Sequence, residues 1–196
     1  TKILPMVKAN GYGHGSLTIA KECARLGAIG MGVADVGEAL ALRDGGYDGD
    51  VLSLGEISRG TLSECATSNL IFAIHSKEEI EEISPVIQRW SSPLRVHLEI
   101  ETGMHRLGIE PEDWEPVARK LSSRKEIRLE GIFSHFSESE AADRSFSELQ
   151  MKNFTRAVGI FEKTVGRRLI RHIANSGGTL FHSSSENDWV RPGILL

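Results

Sequence analysis

Short apolar runs alternate with longer amphipathic segments along the whole of this chain, and this alternation restricts the fold more than any other feature. The apolar runs predict eight strands, at residues 3–7, 29–34, 51–54, 70–74, 94–100, 129–134, 169–174 and 189–192. Apolar residues at three- and four-residue spacing predict helices between them, at residues 17–26, 36–43, 77–90, 111–121 and 146–165. About eight such units favour a closed (β/α)8 barrel over an open doubly wound sheet.

Local signals indicate where two of these helices begin. Ser76 precedes a lysine and two glutamates, which predicts an N-cap serine followed by acidic residues in the first turn. Pro111 suits the first turn of its helix, because proline lacks the N–H that this turn leaves unpaired. Residues 183–187 are polar and predict a loop before the last strand.

The composition is typical of a soluble globular domain. With 196 residues, 40% of them hydrophobic and 26% charged, we expect a single domain over residues 1–196 that is truncated at both ends. A net charge of −4 and scattered basic residues argue against nucleic acid as a partner. No apolar run approaches the roughly 20 residues of a membrane span, and no leader pattern precedes the first strand. We therefore expect no membrane partner and a cytoplasmic location.

Five residues with chemically useful side chains each follow a predicted strand closely. They are Lys8, Arg106, His135, Ser176 and Arg191. In a (β/α)8 barrel the C-terminal ends of all strands meet at one face, where barrel enzymes place their active sites. In an open sheet the same residues would be spread along an edge. Their placement therefore favours the barrel and predicts a functional site at that face.

Lys8 stands between a predicted strand end and a glycine-rich turn, in the segment Val-Lys-Ala-Asn-Gly-Tyr-Gly-His-Gly at residues 7–15. Removal of a lysine amine from water favours its neutral, nucleophilic form, which can attack an aldehyde. We therefore expect Lys8 to be desolvated and reactive. The alternative is an ordinary surface lysine before a turn.

Two glycine-containing segments predict a phosphate site. Loops after strands seven and eight often hold phosphate in barrel proteins through backbone N–H groups, and residues 175–178 (Asn-Ser-Gly-Gly) and 192–194 (Pro-Gly-Ile) lie there. Ser176 alone is more simply explained as a helix N-cap. Two such loops side by side favour a phosphate.

Arg191 lies at the end of the last predicted strand, directly before Pro192 and Gly193. A buried guanidinium needs acceptors for its N–H groups. A salt bridge or a phosphate contact would each satisfy that need, and the residues alone leave both alternatives open.

Five ordered segments carry a resemblance to a known family. They are residues 7–15, Glu-Thr-Gly-Met-His-Arg-Leu-Gly at 101–108, Gly-Ile-Phe-Ser-His-Phe at 131–136, His-Ile-Ala-Asn-Ser at 172–176 and Val-Arg-Pro-Gly-Ile at 190–194. Together they resemble the motifs of alanine racemases and extend over nearly all of the chain. The resemblance implies the N-terminal (β/α)8 barrel of that family, with pyridoxal 5'-phosphate as the cofactor bound to Lys8.

The resemblance also assigns residues to the cofactor. It implies that the cofactor phosphate is held by Tyr12, Ser176, Gly193 and Ile194, and that Arg191 donates a hydrogen bond to the pyridine nitrogen. Because a guanidinium does not give up its proton, the ring nitrogen then stays largely unprotonated and the cofactor is a weaker electron sink. A pyridoxal-dependent decarboxylase on this barrel would be expected to have a carboxylate there.

Further residues match the family pattern around the substrate and the ring. The resemblance implies that Arg106 lies near the substrate carboxylate and the phenolic oxygen of the cofactor. It places His135 against the pyridine ring and makes His172 a hydrogen-bond partner of Arg191. We expect His14 to fix the glycine-rich turn. Neither these histidines nor the two cysteines have the spacing of a metal site.

The chain departs from the family at Glu99, where many relatives have a lysine whose carbamate supplies negative charge to the arginine that matches Arg106. We expect Glu99, seven residues upstream of Arg106, to supply that carboxylate directly. Glu101 and His105 are further departures, at positions where the family more often has Asp and Gly. They bear on substrate detail and not on the class of reaction.

Racemisation needs two opposed bases, and the resemblance supplies only one in this chain. Lys8 is that base. In the family the second is a tyrosine of a C-terminal β domain that reaches in from the partner subunit of a homodimer. The chain has two tyrosines; Tyr12 is assigned to the phosphate, and Tyr47 lies in a Gly-Gly-Tyr-Asp-Gly loop without a matching motif. We therefore predict the cofactor-binding barrel of an alanine racemase, poorly active by itself.

Two alternatives stay open at this stage. One is a racemase of broader substrate range, or another pyridoxal-dependent enzyme on the same barrel. The other is a non-enzymatic carrier of pyridoxal phosphate, against which the lysine segment and Arg-Pro-Gly-Ile argue. For an alanine racemase, the implied product is D-alanine for cell-wall peptidoglycan.

Overall fold

In the computed structural model of the chain, six consecutive strands form one parallel sheet in sequence order. The structure describes residues 1–65, 68–182 and 187–196, with only the backbone described at residue 64. The six strands are β2 (Gly30–Val33), β3 (Asp50–Ser53), β4 (Ile71–Ile74), β5 (Leu94–Glu99), β6 (Ile127–Phe133) and β7 (Ile170–His172). The first strand, β1 (Lys2–Ile3), pairs in parallel with the last, β8 (Trp189–Val190). Most of the predicted polar loop at 183–187 lies outside the described residues.

Backbone hydrogen bonds join the β1–β8 pair to both edges of the six-stranded sheet. At one seam Gly32 N donates to Pro5 O at 2.8 Å, and at the other Arg191 N donates to Ala174 O at 2.9 Å. The eight strands therefore close into a barrel, which removes the free edges of the sheet. The predicted (β/α)8 fold class is confirmed.

Helices follow the strands around the barrel. They are α1 (Lys8–Tyr12), α2 (Ser16–Arg25), α3 (Val36–Asp44), α4 (Arg59–Glu64), α5 (Lys77–Ile87), α6 (Trp114–Ser123), α7 (Ser145–Val165) and α8 (Ser176–Phe181). The five predicted helices are all present, whereas α1, of 5 residues, and α4 and α8, of 6 residues each, were not predicted. So short a helix shows too little periodicity to be recognised. None of the helices described in the structure is long and apolar enough to cross a bilayer.

The predicted helix starts are confirmed in one case and shifted in the other. Ser76 caps α5 and accepts a hydrogen bond from Glu79 N, and the two residues form a capping box. Pro111 begins a short 3-10 turn, and α6 itself begins at Trp114. The proline therefore starts the turn that leads into the helix.

The core has two parts. The larger lies between the strands and the helices and contains most of the buried apolar residues. A smaller cluster joins Leu4, Leu52, Ile71 and Trp189. Because these side chains come from strands on different sides of the barrel, they fill its interior. The barrel is thus a packed support for groups placed at the ends of its strands.

Candidate active site

Lys8 lies where the sequence places it, at the end of the first strand segment. The residue before it, Val7, still donates a backbone hydrogen bond to Gly32 O of β2 at 2.8 Å. The Lys8 side chain, however, is exposed. The expected desolvation is therefore wrong for this chain alone, because the amine lies at the open mouth of a cavity.

A left-handed turn follows Lys8. The angle φ is positive at Ala9, Asn10, Gly11 and Tyr12, between 50° and 63°. This conformation costs about 1–2 kcal/mol for each residue that has a Cβ, so surrounding contacts must hold it. His14 Nδ1 lies 3.1 Å from Gly11 O, which confirms the predicted role of this histidine in the turn.

Glu38 clamps the start of the turn to the neighbouring strand. One carboxylate oxygen accepts a hydrogen bond from Ala9 N at 2.7 Å, and the other accepts from Ala34 N at 2.8 Å. The amide next to Lys8 is thereby fixed to the end of β2. Sequence reasoning missed Glu38, since an acidic residue in the first turn of α3 is explained by the helix itself.

Arg191 is 3% exposed and follows β8. Its Nη1 donates to His172 Nδ1 at 2.6 Å and to His172 O at 2.8 Å, and its Nη2 donates to Ser134 O at 2.7 Å. Among the described residues, Arg191 thus donates to imidazole and carbonyl groups. It forms no salt bridge with a described carboxylate, so that alternative is wrong. Burial lowers the pKa of Arg191 to about 10, with Glu99 opposing this shift and Arg106 adding to it. The guanidinium therefore stays charged at neutral pH.

Two buried histidines continue inward from Arg191. His172 Nε2 lies 2.7 Å from His97 Nδ1, and both rings are fully buried. Burial, reinforced by neighbouring arginines, lowers the pKa of His172 well below its ordinary value and that of His97 to about 3. Both rings are therefore neutral at physiological pH.

His135 belongs to the same wall. Burial and the nearby cations Arg191, Arg106 and Lys8 lower the pKa of His135 to about 3, so its ring is neutral. Its Nδ1 lies 3.4 Å from Arg191 Nη2, and its Nε2 lies 3.4 Å from the side-chain nitrogen of Asn175. The ring is thus positioned between the last two strand ends of the barrel.

The two loops predicted to hold a phosphate lie side by side. Gly193 N donates to Ser176 Oγ at 3.0 Å, which ties one loop to the other. The N-cap of α8 is Asn175, whose side chain accepts from Gly178 N at 2.8 Å, so the N-cap explanation of Ser176 is wrong. Tyr12 reaches the same place, because a Cβ on Gly193 would collide with its ring and hydroxyl.

One cavity of about 450 Å³ brings the predicted site residues together. Its lining includes Lys8, Tyr12, Arg106, His135, Ser176, Arg191, Gly193 and Ile194. A volume of this size is within the roughly 300–1,000 Å³ usual for small-molecule and cofactor sites. In the described part of the chain, no group of three His, Cys, Asp or Glu side chains could together hold a metal ion.

The sequence profile of a family described as "Alanine racemase, N-terminal domain" matches residues 1–196. The chain belongs to the alanine racemase family. The alanine racemase of Geobacter sulfurreducens is 38% identical over 197 residues, which cover 99% of this chain and 52% of that protein. The alanine racemase of Desulfovibrio desulfuricans is 34% identical over 196 residues, which cover 100% of this chain and 53% of that protein.

Solved alanine racemase structures have the same fold. That from Streptomyces lavendulae superimposes with a TM-score of 0.93 at 26% identity, over 99% of this chain and 52% of that one. That from E. faecalis gives a TM-score of 0.90 at 33% identity, again over 99% of this chain and 52% of the other. The chain therefore spans about half the length of the relatives that it matches.

The partner of Glu99 in this chain differs from our expectation. Glu99 is 5% exposed and faces His75, whose Nε2 lies 3.1 Å from its carboxylate. No ion pair joins Glu99 to Arg106 among the described residues, because Glu99 is held inside the barrel wall whereas Arg106 is exposed on a loop. Glu101 supports that loop by accepting a hydrogen bond from His105 N at 2.7 Å.

Tyr47 lies outside this cavity. Its backbone follows α3, as the loop interpretation predicted, but its ring is 6% exposed and belongs to the core between strands and helices. Burial raises the pKa of the Tyr47 hydroxyl. The ring is absent from the lining of the cavity that contains Lys8.

Proposed function

We propose that the protein containing this chain is a pyridoxal 5'-phosphate-dependent alanine racemase, and that residues 1–196 are its cofactor-binding barrel. The observation that carries the proposal is the shared cavity of Lys8 and Arg191, which come from opposite ends of the chain. The family membership of the chain and the names of its relatives agree with it.

The residues of the cavity fit this cofactor. The Lys8 amine is the partner for its aldehyde. The Ser176 hydroxyl and the Gly193 loop, which packs against the Tyr12 ring and hydroxyl, are placed to hold its phosphate. The buried guanidinium of Arg191 is the donor for an uncharged ring nitrogen. Each functional group of the cofactor thus has a partner on the wall of one cavity.

When bound, pyridoxal phosphate supplies a conjugated ring that accepts electrons from the Cα–H bond of an amino acid. With the cofactor bound, Lys8 Nζ would be the group that holds its aldehyde carbon, and Lys8 would be placed to take and return a proton on one face of an amino acid. Arg191 keeps its own proton at neutral pH, since burial lowers its pKa only to about 10. Electron withdrawal at the ring nitrogen is therefore limited, which favours simple proton exchange over side reactions.

Two further residues are placed to bind the substrate and to orient the cofactor ring. Arg106 lines the cavity mouth and forms no ion pair within the described residues, so its guanidinium is available for the substrate carboxylate. His135, neutral at physiological pH, is placed to pack against the cofactor ring. Neither residue moves a proton in this scheme.

The remainder of the proposal concerns the complete protein. Neither tyrosine of this chain is placed to act as the second base, because Tyr12 packs against Gly193 and Tyr47 is buried in the core. The second base is therefore a tyrosine supplied by a partner subunit of a homodimer. The enzyme is cytoplasmic, and its product is D-alanine for peptidoglycan. Both statements rest on the family and not on the geometry of this chain.

Chiral chromatography of reactions in deuterium oxide tests the activity. The full-length protein with pyridoxal phosphate should convert L-alanine and D-alanine into one another and deuterate Cα in both. Lys8→Ala should abolish both effects. Comparable turnover of many other amino acids would favour a broader racemase, and bound cofactor without any exchange would favour a carrier.

A further inference from the structure

His75 and Glu99 form a buried ionic contact in the wall of the cavity. His75 follows β4 and is 3% exposed. Its Nε2 lies 3.1 Å from Glu99 Oε2 and 2.9 Å from Leu54 O, and its Nδ1 lies 3.5 Å from Glu79 Oε1. Both ring nitrogens therefore face carboxylate oxygens in a place from which water is largely excluded.

The two carboxylates favour the imidazolium form of His75, even though Nδ1 and Glu79 Oε1, 3.5 Å apart, form no hydrogen bond. A neutral ring has one N–H and would present the lone pair of its other nitrogen to a carboxylate. Burial by itself lowers the pKa of His75, but the carboxylates of Glu79 and Glu99 outweigh burial and raise this pKa to about 9. Among the described residues these two glutamates, on α5 and β5, are the charged groups that face the ring. The cluster thus joins one imidazole ring to two carboxyl groups.

The two glutamates differ in what else they contact. Glu79 Oε2 accepts hydrogen bonds from the backbone N–H groups of His75 and Ser76, so its carboxylate caps the N-terminus of α5. Glu99 lines the cavity, together with Arg106 and Arg191. Of the two carboxyl groups, Glu99 is therefore the one that faces the cavity.

Glu99 acts electrostatically on the buried arginine. In the part of the chain that the structure describes, Arg191 touches imidazole and carbonyl groups and no carboxylate. Burial and the charge of Arg106 lower the pKa of Arg191, and Glu99 opposes this shift, so that the pKa falls only to about 10. A carboxylate at this point offsets the repulsion between two guanidinium groups in one cavity.

We propose that His75 is a positioning residue, which fixes the Glu99 carboxylate in the wall of the cavity, where it offsets the charge of the buried Arg191 and leaves the Arg106 guanidinium free to meet a carboxylate ligand. The identity of that ligand, an amino acid, rests on the proposed function. The contact between His75 and Glu99 does not depend on it, so the two can be tested separately.

The first experiment is an NMR titration of the histidine rings in the full-length protein. His75 should titrate near pH 9 in the wild type, and at least about one pH unit lower in Glu99→Gln, because one of its two carboxylates is then uncharged. Glu115→Gln, which alters an exposed glutamate paired with Arg119 on α6, should leave the titration unchanged. A His75 that titrates at the same pH with and without the Glu99 charge would overturn the proposal.

The second experiment separates KM from kcat in the same protein. Glu99→Gln and His75→Gln should each raise KM for alanine about tenfold, with a smaller effect on kcat and with the cofactor still attached to Lys8. His75→Lys, which restores a cation beside Glu99, should recover part of the loss. Folded, loaded variants with unchanged KM would refute the positioning role. Failure of the wild type to load cofactor at Lys8 would instead refute the proposed function, and the titration would still decide the role of His75.

Discussion

Arg191 Nη1 lies 2.6 Å from His172 Nδ1, and both side chains are buried. Because a guanidinium can only donate, His172 must accept at Nδ1 and carry its proton on Nε2. That proton points to His97 Nδ1 at 2.7 Å, so His97 in turn carries its proton on its own Nε2. One cation after the last strand thereby fixes the tautomers of two histidines deeper in the barrel.

Removal of His172 should be costly for this reason. His172→Leu leaves an N–H of a buried guanidinium without its acceptor, and we expect a loss of about 2–3 kcal/mol in the free energy of unfolding. Urea denaturation measures it. The control is His105→Asn, an exposed histidine at a positive φ that asparagine tolerates, which should change stability by less than about 0.5 kcal/mol. Equal effects of both substitutions would contradict the network.

The clamp at the lysine turn gives a second prediction. Glu38→Ala removes the acceptor of two backbone N–H groups, at Ala9 and Ala34, and should destabilise the protein by about 2 kcal/mol and slow the attachment of cofactor to Lys8. Stopped-flow absorbance follows the attachment. Glu22→Ala, which breaks an exposed pair with Arg25, should have little effect on either quantity. Unchanged attachment in Glu38→Ala would show that the turn holds without the clamp.

The barrel could be predicted from the sequence because its two periodicities alternate over the whole chain, and because motif residues follow strand after strand. Side-chain partners were less predictable. The direct pairing of Glu99 with Arg106 followed from spacing along one strand and its loop, whereas the actual partner, His75, comes from the end of a neighbouring strand. A contact between adjacent parallel strands depends on register, which strand periodicity in sequence does not fix.

The buried histidines predict a pH dependence of stability with two limbs. The folded-state pKa of His75 is raised from 6.5 to about 9, so its contribution is complete below pH 6.5 and is lost as the pH rises through 9. The folded-state pKa values of His97 and His135 are lowered to about 3. The unfolded state therefore binds more protons at these two residues between pH 3 and 6.5, and stability falls as the pH drops through that range. We expect maximal stability at roughly pH 6.5.

Denaturation midpoints across this pH range check the prediction. His75→Gln should flatten the alkaline limb and leave the acid limb in place, because the groups responsible for the acid limb are unchanged. Stability that does not fall between about pH 7 and 9 in the wild type would mean that His75 is neutral when folded.

Chemical labelling tests the assignment of Lys8. Pyridoxal phosphate added to the protein should give an absorbance band in the near-visible region, and borohydride should then attach the cofactor irreversibly at Lys8, because its amine lies at the cavity mouth beside the phosphate loops. Peptide mass spectrometry identifies the site. Lys21→Ala, at a lysine of α2 that is absent from the cavity lining, should leave labelling intact. Labelling of another lysine in folded protein would remove the basis of the proposed function.

The 196-residue chain by itself, loaded with cofactor, should exchange the α-hydrogen of alanine but should not racemise it at the rate of the full-length protein. Of its two tyrosines, Tyr12 is packed at Gly193 and Tyr47 is buried in the core, so Lys8 is left as a base on one face. A positioned general base typically contributes about 10²- to 10⁴-fold. In deuterium oxide, Lys8 should remove the proton and return deuterium on the same face, so that the one enantiomer of alanine whose Cα–H faces Lys8 gains deuterium with retention of configuration. Mass spectrometry after chiral separation distinguishes the outcomes. Interconversion at the full rate would place the second base within residues 1–196 and would contradict the assignment of that base to a partner subunit.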